Sequence, residues 1–317
     1  MVSIIIPNFN HSQFLTQRIE SVLKQTYKDF ECIILDDAST DNSQQIILEY
    51  AAKDSRISYH FSVINSGSPF TQWNRGIQLA NNELVWIAES DDYCQPNLLE
   101  ELVISHKNNT TICLSYCQSN KVNINGVIIG SFIDQTKFLD DQLFKNDFTI
   151  NGEQFVNKFL IKENVIPNAS AVLFKKSIYL KIGGADEKFK TNSDWLVWLK
   201  MSMIGNIGFV ASHNNMFRFH DGSVIAKHSA STLTYYKEQY DLKMRKAFKI
   251  WYKTNFRSFL NNNILKINDQ FISYDIGNEG LYLVSNKFYL QGLLKIFIAS
   301  IFSKFTLGFL RKLLKIN

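Results

Sequence analysis

Glycine is missing where a dinucleotide-binding chain needs it most. The first strand-like run, residues 2–6, is followed by Pro7-Asn8-Phe9-Asn10-His11-Ser12. That stretch holds no G-x-G-x-x-G turn and no lysine-bearing phosphate loop, so neither glycine-built cradle for a nucleotide is available. Cysteine is scarce as well. Four in 317 residues (Cys32, Cys94, Cys113, Cys117), with no C-x-x-C pair, exclude a disulfide framework and point to buried or free thiols in a reducing compartment. No apolar run reaches the ~18 residues that mark a membrane span. The start, MVSIIIPNFN, has no positive segment and too short an apolar run for a signal peptide, so a cytoplasmic chain is expected. A large charge excess is also absent: 34 Lys+Arg against 29 Asp+Glu give a net charge of +5, too mild to call for a nucleic-acid partner. Acid is missing altogether from residues 280–317.

What is present is a regular alternation over the first hundred residues. Residues 2–6 are apolar and β-branched and stop at Pro7. Ser12 is placed to cap a helix with Leu15, Ile19, Val22 and Leu23 at helical spacing. Residues 30–35 form a second apolar run ending at Asp36-Asp37, and Asp41 or Ser43 can start a helix through Tyr50. Residues 57–61, 70–80 and 84–88 read as strand, helix and strand. Near-continuous apolar strands alternating with helices predict an α/β fold with a mostly parallel sheet covered on both faces. Ligands of such sheets bind beyond the carboxyl ends of the strands. Three of those ends carry PNFN, DDASTD and ESDD. Further on, 112–116 suits another strand, VNINGVIIG a hairpin turning at Asn125-Gly126, and 194–203 a helix. Residues 134–165 show no ordered pattern, and helices dominate from about 233 onward.

The sharpest local feature is LVWIAESDDYCQP, an apolar run that enters Glu89, Ser90, Asp91 and Asp92. As an isolated motif it suits a solvated turn with Asp92 capping the next helix. That is the commoner reading of such a motif alone; the motif also suits a divalent cation, because Mg²⁺ takes one or two carboxylates and completes its shell with substrate phosphates. Asp36-Asp37 offers more carboxylate than the cap of the following helix requires, and a carboxylate there can accept a hydrogen bond from a base-ring N–H. Phe9 is placed to stack on a base, although an aromatic at such a position is more often core.

In order along the chain, VSIIIPNFN, SVLKQTYKDFECIILDDASTDNS, NSG, WNRGI, WIAESDDY, GGADEKF, SDWLVWLK and FRFHDGS resemble glycosyltransferase family 2. The resemblance is strong over 1–110 and moderate over 165–223. It implies a GT-A, Rossmann-like fold with a helical C-terminal extension, and inverting sugar transfer from a nucleotide-diphospho-sugar, with UDP the favoured nucleotide. It further implies that Phe9 and Asp37 contact the base, with Pro7 and Asn10 shaping their loop. Asp91 would hold Mg²⁺ or Mn²⁺ at the diphosphate, Glu89 would sit near the ribose or the metal beside Ser90, and Asp92 would support the metal. Asp194 aligns with the general base, and Arg218 and His220 lie where the family closes over the diphosphate. Three positions depart from the family pattern: Glu89 stands where Asp is usual, Trp73 where a cation is frequent, and Ser193 where Glu is frequent.

The expected organisation is a nucleotide-sugar half over 1–110, an acceptor half with the catalytic base over 111–230, and a helical extension over 231–317. The acceptor would be a glycan or lipid-linked glycan of a bacterial surface polysaccharide or lipopolysaccharide. Two rivals remain open: a degenerate nucleotide-sugar-binding module, and a sugar nucleotidyltransferase, which would want a Gly- and Lys-rich loop after the first strand. In the tail, Lys304, Arg311, Lys312 and Lys315 fall opposite Phe305, Phe309, Leu310, Leu313 and Leu314 on a helical wheel. That pattern fits either a packed helix or a peripheral anchor on the inner face of the cell membrane.

Overall fold

Strand β1, Val2–Asn8, is buried at every position, as expected of a strand with helices on both sides. Ile4 and Ile6 face one layer, with Leu15, Ile19 and Val22 of α1 (Ser12–Leu23) and Ile47 of α2 (Ser43–Ala51). Ile5 faces the other layer, where α3 (Pro69–Leu79) lies so close that a Cβ on Gly76 would sit 2.5 Å from Ile5 Cγ2. In parallel register, β1 pairs with β2 (Phe30–Asp36) and β4 (Leu84–Ile87), and β2 pairs with β3 (Ile57–Phe61).

The computed structural model describes residues 1–189, 191–220, 233–256 and 262–302. The chain divides into two compact units, Met1–Leu160 with Asn164–His220, and Ile161–Glu163 with Asp221–Asn317. In the first unit the remaining strands are β5 (Tyr93–Cys94), β6 (Ile112–Val122), β7 (Ile128–Ser131), β8 (Phe148–Ile150), β9 (Val172–Lys175) and β10 (Asn206–Arg218). The sheet runs β3-β2-β1-β4-β9-β6-β10-β5, with β7 on β6 and β8 on β10. It is therefore mixed rather than simply parallel, because β9 lies antiparallel to both β4 and β6. The β6–β7 hairpin turns where the Asn-Gly pair predicts, with Gly126 at φ +80°. Residues 134–165 contain only short pieces, including helices Ile133–Thr136 and Gly152–Phe155. Pieces that short carry no helical period to read.

The short antiparallel ladder of β5 on β10, Asn215 opposite Cys94 and Met216 opposite Tyr93, matters most for function. It sets the chain just after the acidic turn against the end of β10. α4 (Leu98–Asn108) then begins beyond Pro96, the short helices α5 (Ile133–Thr136), α6 (Gly152–Phe155) and α7 (Lys176–Lys181) follow, and α8 (Ser193–Ser202) supplies the predicted 194–203 helix. All four cysteines are buried and unpaired.

The second unit contains helices Leu233–Asn255, Asn262–Ser285 and Tyr289–Phe302. The last two approach at glycines: a Cβ on Gly292 would lie 2.6 Å from Gly280 O. A buried Arg245–Asp275 pair, 3.3 Å apart, ties the first helix to the second. Among the described residues no helix is long and apolar enough to cross a membrane. The amphipathic pattern at 304–315 lies outside the described residues.

Candidate active site

The repulsion expected in Glu89-Ser90-Asp91-Asp92 is relieved by sending the three carboxyls in different directions. Asp92 turns inward and is 1% exposed. Its Oδ1 accepts from Arg218 N at 2.9 Å and its Oδ2 from Asn168 Nδ2 at 2.6 Å, with the Arg18 guanidinium 4.0 Å away. It therefore does not cap α4, and both its oxygens are held within the protein. Burial and the neighbouring Asp91 push its pKa up to about 7, against the pull of Arg18. Glu89 accepts from Trp73 Nε1 at 2.8 Å. Burial and Asp91 push its pKa up to about 8, which favours the neutral acid at neutral pH. Asp91 alone goes the other way. Burial raises its pKa, but the contact with His220 and the fields of His11 and His220 outweigh that and hold it below the usual carboxylate range. One of the three acids is thus built to remain an anion.

Around Asp91 the structure collects two imidazoles. His220 Nε2 lies 3.2 Å from Asp91 Oδ2, and His11 Nδ1 lies 2.8 Å from Ser90 Oγ. Ligand atoms of His11, Asp91 and His220 all fall within 4.8 Å of one another. One oxygen and two nitrogens so placed fit a divalent cation with room left for phosphate oxygens. His11 was not singled out from the sequence; its only signal was a titratable side chain in the loop after the first strand.

Arg218, which the resemblance sets over the diphosphate, is bonded to the protein beside Asp91. Its Nε donates to Asp91 O at 2.7 Å, Nη1 to Ile124 O at 2.7 Å, and Nη2 to Gln17 Oε1 at 2.6 Å. Its guanidinium lies over the rings of Phe14 and Tyr93, at 4.7 and 5.3 Å. All three nitrogens are engaged with the protein, so Arg218 holds the acidic turn in shape. Arg218→Lys keeps the charge but loses the planar fork. It is expected to cost roughly 2–4 kcal/mol, the range for breaking a buried charged hydrogen-bond cluster, read as a lower urea midpoint. A variant as stable as the parent would remove this role.

Just beyond β2, Asp37 accepts from Ser66 N, from Ser66 Oγ at 2.7 Å and from Gln72 Nε2 at 2.6 Å. Ser66 N reaches both carboxylate oxygens, so each oxygen of Asp37 accepts two of these bonds. Asp36 is fully buried and accepts from Asn8, Ser39 and Gln44. Pro7 is part of β1, opposite Leu35. Asn10 adopts φ +55° and its Oδ1 accepts from Thr40 N at 2.7 Å, joining the loops after β1 and β2. Phe9 is 43% exposed beside them, which makes it a surface rather than a core ring. The start of α1 is served by Asp41, which accepts from Ser12 N at 2.8 Å; Ser12 is the first helical residue and not its cap.

Asp194 sits in the first turn of α8, after Asn192 in the left-handed conformation at φ +65°. Burial raises its pKa, opposed by bonds from the Trp195 and Asp194 backbone and from Asn164. A helix N-terminus favours the anion, while burial makes that anion a better proton acceptor. The preceding Gly-Gly loop is fastened to α3 by Asn74, which donates to Ala185 O at 3.0 Å and accepts from Ala185 N at 3.2 Å. Trp73 packs 5.2 Å from Phe70 and 6.1 Å from Trp198, so the missing cation is replaced by an aromatic wall whose N–H holds Glu89.

A mixed sheet with carboxylates at its strand ends is the arrangement of GT-A glycosyltransferases. Residues 3–162 match Glycosyl transferase family 2, and the chain belongs to that family. It is 35% identical over 102 residues to the glycosyltransferase GlyG of Streptococcus pneumoniae, covering 32% of this chain and 34% of that one. It is 29% identical over 189 residues to the poly(ribitol-phosphate) beta-glucosyltransferase of Bacillus spizizenii, covering 57% and 30%. It is 33% identical over 147 residues to the UDP-Glc:alpha-D-GlcNAc-diphosphoundecaprenol beta-1,3-glucosyltransferase WfgD of Escherichia coli, covering 46% and 56%. The chain thus matches only 30 to 56% of the length of these relatives. In fold it is similar to Staphylococcus aureus TarS residues 1–349 in complex with UDP-GlcNAc, with a TM-score of 0.70 at 17% identity over 94% of this chain and 79% of that one.

Proposed function

We propose that this protein is an inverting, metal-dependent glycosyltransferase that moves a sugar from a nucleotide-diphospho-sugar to a hydroxyl of a glycan or lipid-linked glycan acceptor. UDP is the favoured nucleotide, and the setting is the synthesis of a bacterial surface polysaccharide. The observation that carries the reading is the convergence of ligand atoms of His11, Asp91 and His220 within 4.8 Å of one another, at the strand ends that also hold Asp37. A binding module needs a pocket for the nucleotide, but it has no need of a second, separately buried carboxylate such as Asp194. A sugar nucleotidyltransferase would want a basic glycine loop after β1, where this chain has Pro7-Asn8-Phe9-Asn10.

In this reading residues 1–110 hold the donor and 111–230 the acceptor. Asp37 accepts from the base, and Phe9 lies against it. Glu89, held by Trp73, faces the ribose or sugar as a neutral acid able to donate a hydrogen bond. Asp91 with the two histidines would hold Mg²⁺ or Mn²⁺, which when bound offsets charge on the departing diphosphate. Asp194 takes the proton of the acceptor hydroxyl as that oxygen bonds to the anomeric carbon. The electron pair of the broken C–O bond leaves with the diphosphate, and the configuration inverts because no protein nucleophile intervenes. Incubation with UDP-sugars should raise thermal stability only with metal present, by about 2.7 kcal/mol at 100 times the dissociation constant. It should also yield transfer or slow donor hydrolysis. Binding without any turnover would favour the module.

A peripheral membrane contact is part of the proposal. On the helix Tyr289–Phe302, Ile296 and Ala299 are buried, but Leu290, Leu293, Leu294 and Phe297 are 85, 52, 58 and 62% exposed. Lys295 is paired with Glu279, and no acid follows Glu279. An exposed apolar face in an acid-free basic stretch matches an anionic lipid surface, to which each cation contributes about 1 kcal/mol. Co-sedimentation with phosphatidylglycerol vesicles at low salt and release at high salt are expected. Changing the four exposed residues to serine should weaken it, and a parent protein that ignores such vesicles would refute it.

A further inference from the structure

We propose that His11 is a ligand of the cation, so that the site is a two-imidazole, one-carboxylate set that takes up a first-row transition ion before any nucleotide arrives and prefers it to Mg²⁺. This rests on the metal-dependent reading above and adds the identity and order of binding.

The three ligands come from separate parts of the chain: His11 from the loop between β1 and α1, Asp91 from the turn after β4, and His220 from just beyond β10. Their candidate donor atoms nevertheless converge within 4.8 Å. Each is oriented from behind. The His11 Nδ1 lies 2.8 Å from Ser90 Oγ, which holds the ring against the acidic turn. A ligating imidazole usually has its second nitrogen engaged in this way. His220 is packed between Phe14, at 4.9 Å, and His11, at 5.7 Å and nearly perpendicular. Asp91 is fixed through its own carbonyl, which accepts from Arg218 Nε. The 3.2 Å between His220 Nε2 and Asp91 Oδ2 is near the roughly 3 Å that separates adjacent ligands bound at about 2.1 Å from one ion. His11 also stands at the start of α1 without a side-chain capping bond, so its presence there is not explained by helix capping. Asp92, the other carboxylate of the turn, is held inward by Arg218 N and Asn168. A Mg²⁺ site would want oxygen ligands and retained water, whereas imidazole nitrogens favour transition ions.

The test is titration of the nucleotide-free protein with Mn²⁺, followed by electron paramagnetic resonance and by competition with Mg²⁺. The expected result is Mn²⁺ bound at least tenfold more tightly than Mg²⁺, with pulsed spectra showing nitrogen coupling from two imidazoles. His11→Gln, with an unchanged melting temperature, should weaken Mn²⁺ about tenfold or more, leave Mg²⁺ nearly unaffected, and reduce the coupling to one imidazole. Ser90→Ala retains the ligand and should give a smaller loss, which guards against a folding defect in the first variant. Equal Mn²⁺ and Mg²⁺ affinity, or unchanged Mn²⁺ coupling in His11→Gln, overturns the inference. If Asp91→Asn lowers Mn²⁺ affinity while His11→Gln does not, only the role of His11 fails. If neither variant changes it, the metal reading itself fails with it.

Discussion

Asp91→Asn is expected to abolish metal-dependent donor binding, with loss of affinity for UDP of roughly a hundredfold or more in the presence of Mn²⁺. Glu89 and Asp92 cannot substitute, because one is bonded to Trp73 and kept toward its neutral form, and the other points into the protein. The amide that replaces Asp91 has nearly the same shape, so the turn should keep its geometry while the anion is removed. The loss corresponds to about 2.7 kcal/mol or more, which is reasonable for removing the anionic ligand of a divalent ion in a partly enclosed site. Calorimetry with UDP in Mn²⁺ and in chelator measures it. Equal affinity in both conditions for the parent protein would remove the metal from the reaction.

Asp194→Asn is expected to leave UDP affinity close to that of the parent and to lower transfer by roughly 10²–10⁴, the usual contribution of a general base. Because burial raises the pKa of Asp194, the base becomes protonated at a higher pH than an ordinary carboxylate. The acid limb of kcat/KM should therefore lie above the ordinary carboxylate range, and the variant should lose that limb. If Asp194 acts only by steadying the start of α8, the result would be different: a cost of about 1 kcal/mol in stability with most activity retained. Transfer rates and melting temperature from one preparation separate the two.

Several features were legible before the structure because they depend on neighbours in sequence. The apolar runs of β1 to β4, the acidic turn that follows β4, the Asn125-Gly126 turn and the helical period of α8 are local signals, whereas Asp194 was singled out only through the resemblance. What could not be read depends on partners far along the chain. Nothing in residues 172–175 announces that β9 will wedge antiparallel between β4 and β6, since a short apolar run is silent about direction. The inward turn of Asp92 depends on Asn168 and Arg218, and the engagement of Arg218 depends on Gln17. The role of His11 depends on Ser90 and His220. A titratable residue in a loop acquires meaning only when the fold shows what lies opposite it.

The clamp formed by Arg218 has a consequence for the order in which the molecule is made. On the ribosome, residues 1–110 emerge with every donor-binding side chain except His220, yet the acidic turn at 89–92 then lacks Asn168, Arg218 and Ser170, whose hydroxyl accepts from Glu89 N at 3.1 Å. Until β10 has been synthesised and paired, Asp92 has neither the backbone N–H nor the amide that keeps it folded inward, and the carbonyl of Asp91 has no guanidinium. A nascent or truncated chain ending near residue 162, where the match to the family ends, would leave three crowded carboxyls without these partners. A competent donor site therefore first becomes available when β10 and His220 have been made and paired, and a chain stopped short of them should not bind nucleotide sugar.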